Sequence, residues 1–180
     1  MKGERNAQVY QVGPHLFGTS STIPHWKTEE LIPSLKPFLL SLDTYKEKEL
    51  KIAFSLAIQP ESETQEEDHA KYRSLIEFEW ESATCRISVI PDTDSYLITI
   101  LAPNDPKEYT AYFFYGFTKG ILFLHATEAD AFVLNNILMM IYAFNTACSD
   151  TVLMHASVIK KDGKGYLFQG KSGTGKSTHS

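Results

Sequence analysis

Several features that would assign this chain to a special class are scarce or missing. It has two cysteines, Cys85 and Cys148, with no Cys-x-x-Cys spacing, so neither a disulfide framework nor a zinc cluster is expected; both should be buried, reduced thiols. Basic residues are in deficit: 17 Lys and Arg face 22 Asp and Glu, for a net charge of -5. A nucleic-acid partner usually needs a basic patch, and this balance argues against one. No apolar run backs the opening Met1-Lys2-Gly3-Glu4-Arg5, which argues against a signal peptide; the reduced thiols are those expected of a cytoplasmic protein. An uninterrupted membrane-length run is also lacking. The longest apolar stretch, 131–148, is broken by Asn135, Asn136 and Asn145 and has no basic flanks. It reads as a buried helix, not a membrane span.

What is present is an ordinary folded composition, 43% hydrophobic and 22% charged over 180 residues. That length suits one domain, or one domain and part of a second. Residues 8–22 hold two short apolar runs around Gly13-Pro14 and read as two strands and a turn. Pro33 and Pro37 prevent a long helix between 24 and 42, leaving Trp26, Leu31, Leu35, Phe38 and Leu39 for a short helical cap. Between 50 and 58 the alternation is regular, with Leu50, Ile52, Phe54, Leu56 and Ile58 on one side, which predicts a half-buried strand.

An acidic segment follows at 61–68, with five acids in eight residues, and its spacing fixes no metal geometry; a solvated loop is expected. Ile76, Phe78 and Trp80 alternate with Glu77, Glu79 and Glu81, a strand with one apolar and one acidic face. Further strands are predicted at 85–90, 96–101, 109–117 and 121–126, with turns at Pro91-Asp92, 103–106 and Lys119-Gly120. The aromatic cluster Tyr109, Tyr112, Phe113, Phe114, Tyr115 and Phe117 has no interleaved basic residues, so core packing and cross-strand pairing fit better than base stacking. A helix is expected at 130–148, with Val133, Ile137, Ile141 and Phe144 on its apolar face and Asp130 favouring its start.

A strand at 152–159, the turn Lys161-Asp162-Gly163 and a strand at 165–169 then predict a hairpin. It leads into Gly170-Lys171-Ser172-Gly173-Thr174-Gly175-Lys176-Ser177. This is the phosphate-loop spacing of Gly, four residues, Gly, Lys and Ser or Thr. Glycines let successive backbone N–H groups converge on phosphate oxygens without obstruction. Lys176 supplies a charge for the outer phosphates and Ser177 a hydroxyl ligand for Mg2+. A glycine-rich turn between strands is the plainer alternative, but the preceding apolar run and the hydroxyl after the lysine favour the phosphate loop.

The run Leu153-Met154-His155-Ala156-Ser157-Val158, with Gly163, Tyr166-Leu167-Phe168-Gln169-Gly170 and the loop through Thr178, resembles a known nucleotide-binding core. That core is shared by ATP-dependent phosphoenolpyruvate carboxykinases and HPr serine kinases, and the match covers about 28 residues. Residues 132–136 and 142–144 resemble HPr-kinase-like bacterial proteins, whose N-terminal part is largely β. The resemblance implies binding of ATP and Mg2+, or Mn2+, by Gly170 to Thr178, with Ser177 on the metal. It implies a second metal contact from His155, for which a strand histidine bonded to a backbone carbonyl is the alternative reading. Neither the carboxykinase lysine nor its substrate arginine is located upstream, which argues against decarboxylation. Thr178 stands where HPr kinases often carry an acidic residue. His15, His25, His69, His125 and His179 form no pair at metal-ligand spacing.

The expected architecture is α+β: a mainly antiparallel β domain over 1–150 with helix 130–148 packed on it, then at 151–180 the opening hairpin and phosphate loop of a carboxykinase-like core. The expected function is that of an N-terminal portion of an ATP-binding protein that transfers the γ-phosphoryl group to a hydroxyl of a protein, peptide or small molecule. Residues 1–180 alone are expected to be inactive, because the acidic metal ligands should lie beyond Ser180. The alternative is a non-catalytic β module that binds a peptide or protein and carries a vestigial loop. Oligomerisation is left open.

Overall fold

A computed structural model describes residues 6–41, 51–63, 71–80, 82–154 and 156–170. Strands β1 (Asn6–Val12) and β2 (His15–Ser21) form a hairpin whose turn includes Gly13, at φ 57. A one-turn helix α1 (Thr28–Leu31) and a 3-10 turn (Pro33–Phe38) lead to β3 (Leu39–Leu40). Then follow β4 (Ile52–Pro60), β5 (Arg73–Trp80), β6 (Ala83–Val89), β7 (Tyr96–Leu101), β8 (Glu108–Phe114) and β9 (Lys119–Leu124). Helix α2 (Asp130–Thr146) precedes β10 (Ser157–Lys161) and β11 (Lys164–Phe168).

The first nine strands make one sheet in the order β3-β1-β2-β4-β9-β8-β7-β6-β5. Strands β5 to β9 are an antiparallel meander, and β1 pairs antiparallel with β2 and β3. β4 joins these two parts by running parallel to β2 on one side and to β9 on the other. The sheet is therefore mixed, and the fold is α+β with one long helix.

Alternation in β4 works as the sequence indicated. Phe54, Leu56 and Ile58 are buried, while Ser55 is exposed. On the covered face they meet Val133, Leu134, Ile137 and Ile141 of α2, all fully buried. Tyr10, Phe17 and Phe54 stack successively, with ring centroids 5.2 and 5.0 Å apart. Helix α2 together with the 3-10 turn that follows it, Asp130–Ser149, is long and apolar enough to cross a membrane by length and composition. Here its apolar stripe is spent on the sheet. Two of the three asparagines that interrupt it bond backward along the helix, Asn136 to the Phe132 carbonyl at 2.8 Å and Asn145 to the Ile141 carbonyl at 3.0 Å.

Tyr109 and Phe113 enter the main core, and Tyr112 packs with Leu97 and Phe123 on the opposite face. Most of the aromatic cluster is thus packing, as expected, but Tyr115 is 71% exposed. Three details differ from expectation. The strand predicted through 117 stops at Phe114, because Tyr115, Gly116 and Phe117 all take positive φ; Lys119 and Gly120 consequently open β9 instead of forming the turn. The strand predicted from 152 starts only at Ser157, opposite the last residue of its partner strand, Phe168. Cys85 is buried but Cys148 is exposed, in the 3-10 turn that ends α2. The predicted strand with one apolar and one acidic face is β5, the sheet's outer strand, where Ile76 and Trp80 are 52% and 37% exposed.

Candidate functional site

Approach to the predicted phosphate loop is through β10 and β11. The two strands pair in register from Ser157↔Phe168 to Lys161↔Lys164 and form a separate two-stranded sheet. Asp162 (φ 52) and Gly163 (φ 75) make the connection, the double left-handed turn that an Asp-Gly pair favours in a two-residue hairpin. Strand β11 then ends two residues before Gly170.

Gly170 is the one predicted loop residue among those described. Lys171, Ser172, Gly173, Thr174, Gly175, Lys176, Ser177 and Thr178 lie outside the described residues, as does His155. Among the described residues no group of three or more His, Cys, Asp or Glu is arranged to hold a metal ion.

The hairpin is apolar on both faces. Val158, Ile159, Tyr166, Leu167 and Phe168 are all exposed, and so are Val152, Leu153 and Met154 before it. A two-stranded hairpin with so much uncovered apolar surface is marginal in water by itself. Just after α2, Thr151 Oγ1 lies 2.7 Å from His15 Nε2 of the main sheet. Leu153 helps line an apolar cavity of about 100 Å³ with Phe17, Leu138 and Tyr142.

A second polar concentration was not foreseen from the sequence. It lies where the 102–108 loop meets the start of α2, beside a cleft of about 370 Å³ lined by residues including Asn104, Asp105, Thr127, Glu128 and Phe132. The buried Asp130 carboxylate accepts the backbone N–H groups of His125 (3.3 Å) and Ala126 (3.1 Å). It thereby fastens the loop before the helix.

Tyr109 Oη lies 3.1 Å from Asp130 Oδ1, 3.1 Å from Asp105 Oδ2 and 2.5 Å from Thr127 Oγ1; Thr127 Oγ1 also lies 2.9 Å from Asp105 Oδ2. Two hydroxyl protons serve these four contacts, so at most two are hydrogen bonds at any instant. Burial pushes the Tyr109 hydroxyl pKa up, and the two carboxylates reinforce that. The Lys107 backbone N–H, followed by Thr127, holds Asp105 below the usual carboxylate range.

Nearby, the His125 ring stands edge-on to Tyr109 at 4.4 Å. Its Nε2 lies 3.2 Å from the Glu108 carbonyl. Its buried Nδ1 is 2.8 Å from a Glu61 carboxylate oxygen, without the alignment of a hydrogen bond. His125 is the main cause lowering the Glu61 pKa, assisted by Lys107 at 3.4 Å.

These groups are spread over four elements, and only their meeting in space makes them a cluster. Spacing along the sequence carried no signal for it. Chemically the cluster anchors loops: the polar atoms of Asp105, Tyr109, Thr127 and Asp130 are occupied by one another and by backbone amides.

A comparable arrangement holds α1. Glu29 accepts from Tyr10 Oη at 2.9 Å and from Gln8 Nε2, while Gln8 Oε1 accepts the Thr28 backbone N–H at 2.9 Å. Tyr10 is fully buried, and burial raises its pKa. Neither network presents an unshared nucleophile or base to a cavity. No protein family, curated protein or solved structure matches this chain.

Proposed function

We propose that this chain is the N-terminal portion of an ATP-binding, HPr-kinase-like protein in which the hairpin β10–β11 opens a carboxykinase-like nucleotide-binding core. The observation that supports this reading is the order of elements: a strand, Lys164–Phe168, runs directly to the first glycine of Gly-x-x-x-x-Gly-Lys-Ser. A phosphate loop requires that entry, because a strand fixes the direction from which the backbone amides approach the phosphates. The exposed apolar faces of the hairpin support it too, as those of a strand pair built to be covered by further structure.

In this reading Gly170, Gly173 and Gly175 leave room for the phosphates, Lys176 binds the outer ones, and Ser177 provides the hydroxyl to Mg2+ or Mn2+. ATP supplies the γ-phosphoryl group, and the acceptor is a hydroxyl of a protein, peptide or small molecule. The work of the chain is positioning and charge stabilisation, which dominate this chemistry. A cytoplasmic location suits an ATP-dependent reaction.

Nucleotide binding is tested on the full-length gene product by thermal denaturation with and without Mg-ATP. At a hundredfold excess over its dissociation constant the ligand should add about 2.7 kcal/mol of stability. The gain should vanish in Lys176→Ala. No stabilisation, or stabilisation that persists in Lys176→Ala, would overturn the reading.

A further inference from the structure

We propose that the outer edge of β5 takes up an extended peptide strand whose side chains alternate between apolar and basic residues. β5 ends the sheet, and among the described residues no strand pairs on its outer side. Natural edges are usually short, proline-bearing or studded with lysine, which discourages strand addition. This one is eight residues long, contains no proline and no lysine, and exposes Leu75, Ile76 and Trp80; a register shift between Ser74 and Ile76 leaves Ile76 to Trp80 as its regular stretch. Those features suit the addition of a strand through backbone hydrogen bonds.

The two faces of the edge ask for different side chains. Opposite Ala83, Cys85 and Ile87 of β6, the register places Trp80, Phe78 and Ile76 on the helix side of the sheet. There Trp80, Cys85, Phe132 and Met140 line a shallow apolar notch. On the other face, Glu77 and Glu79 pair with Arg86 and Thr84. Arg86 Nη2 approaches Glu77 at 2.6 Å, whereas Glu79 has no cation among the described residues. An incoming strand therefore meets apolar side chains on one face and carboxylates on the other, and alternate apolar and basic residues complement both.

A second copy of β5 fits poorly. With the faces matched, the antiparallel registers that set Phe78 against Ile76, Phe78 or Trp80 of the copy also set Glu77 against Glu77, Glu77 against Glu79, or Glu79 against Glu79. Like charges directly opposed destabilise a strand pair.

The test uses the full chain and two eight-residue peptides, one of alternating lysine and valine and one with glutamate in place of lysine. Amide hydrogen exchange read by NMR should show the lysine peptide protecting β5 amides, with the effect fading as salt rises. The glutamate peptide should leave them unprotected, and Glu79→Lys should reverse the preference. Because Glu79 is exposed, unchanged protection of β4 and β9 will report that this variant remains folded. Absence of β5 protection, or equal protection by both peptides, would overturn the proposal. So would protection that rises with protein concentration without peptide, which would make a second copy the occupant.

Discussion

At position 120 a Cβ would overlap the ring of Phe113, its register partner on β8 and a fully buried core residue. The backbone there is ordinary strand, so the constraint is space and not φ. Gly120→Ala must displace the ring and crowd Leu56, or distort β9. Overpacking of this kind costs about 1–3 kcal/mol, and urea titration of the variant should read a loss in that range.

The two cysteines give a second test at this scale. Burial pushes the Cys85 thiol up to about 11, while Cys148 is exposed. In the native protein at pH 8, iodoacetamide should label Cys148 and spare Cys85, as a mass-spectrometric time course will record. The sign for stability follows from the raised value. Cys85 stabilises the fold fully below the unfolded thiol pKa of about 8.5. That contribution drains away as pH rises from there through about 11. Melting temperature of a Cys85→Ala variant should be less sensitive than wild type to pH across that window.

Among the elements, β10–β11 stands apart. It forms its own two-stranded sheet, and its five large apolar side chains are exposed. Local stability tracks buried apolar contact, so its amides should exchange with solvent orders of magnitude faster than those of β4, β8 and β9. Protection of the hairpin comparable to that of the central strands would mean it is covered in solution.

This level is also where the sequence was most readable. Alternation located β4 and the 3.6-residue spacing located α2, because each signal is a local consequence of one buried face. Alternation of Ile76, Phe78 and Trp80 with glutamates also found the strand β5, but not that β5 lies at the sheet's edge. An edge position is set by strand order, which alternation does not encode. The meeting of Asp105, Tyr109, Thr127 and Asp130 was illegible for the same reason. The phosphate-loop motif, by contrast, is legible in the sequence alone, and from Lys171 onward it lies outside the described residues.

For the molecule as a whole, the central place of β4 has a cost in time. Its parallel neighbours require long connections: β2 ends at Ser21 and β4 opens at Ile52, whereas β9 opens only at Lys119. The meander β5 to β9 closes by adjacent hairpins and can form early, since nearby pairings need little loop closure. β4 cannot complete its pairing until β9 has been made. At translation rates of about 5–20 residues/s the wait lasts several seconds. Through that interval Phe54, Leu56 and Ile58 form an apolar row on a strand with one edge unpaired. Force-sensitive arrest sequences should register the main folding pull only after Leu124 and helix α2 have left the ribosome. A strong pull at chain lengths ending near Pro60 would contradict this. In the growing chain, the strand that unites the finished sheet is the stretch most in need of a chaperone.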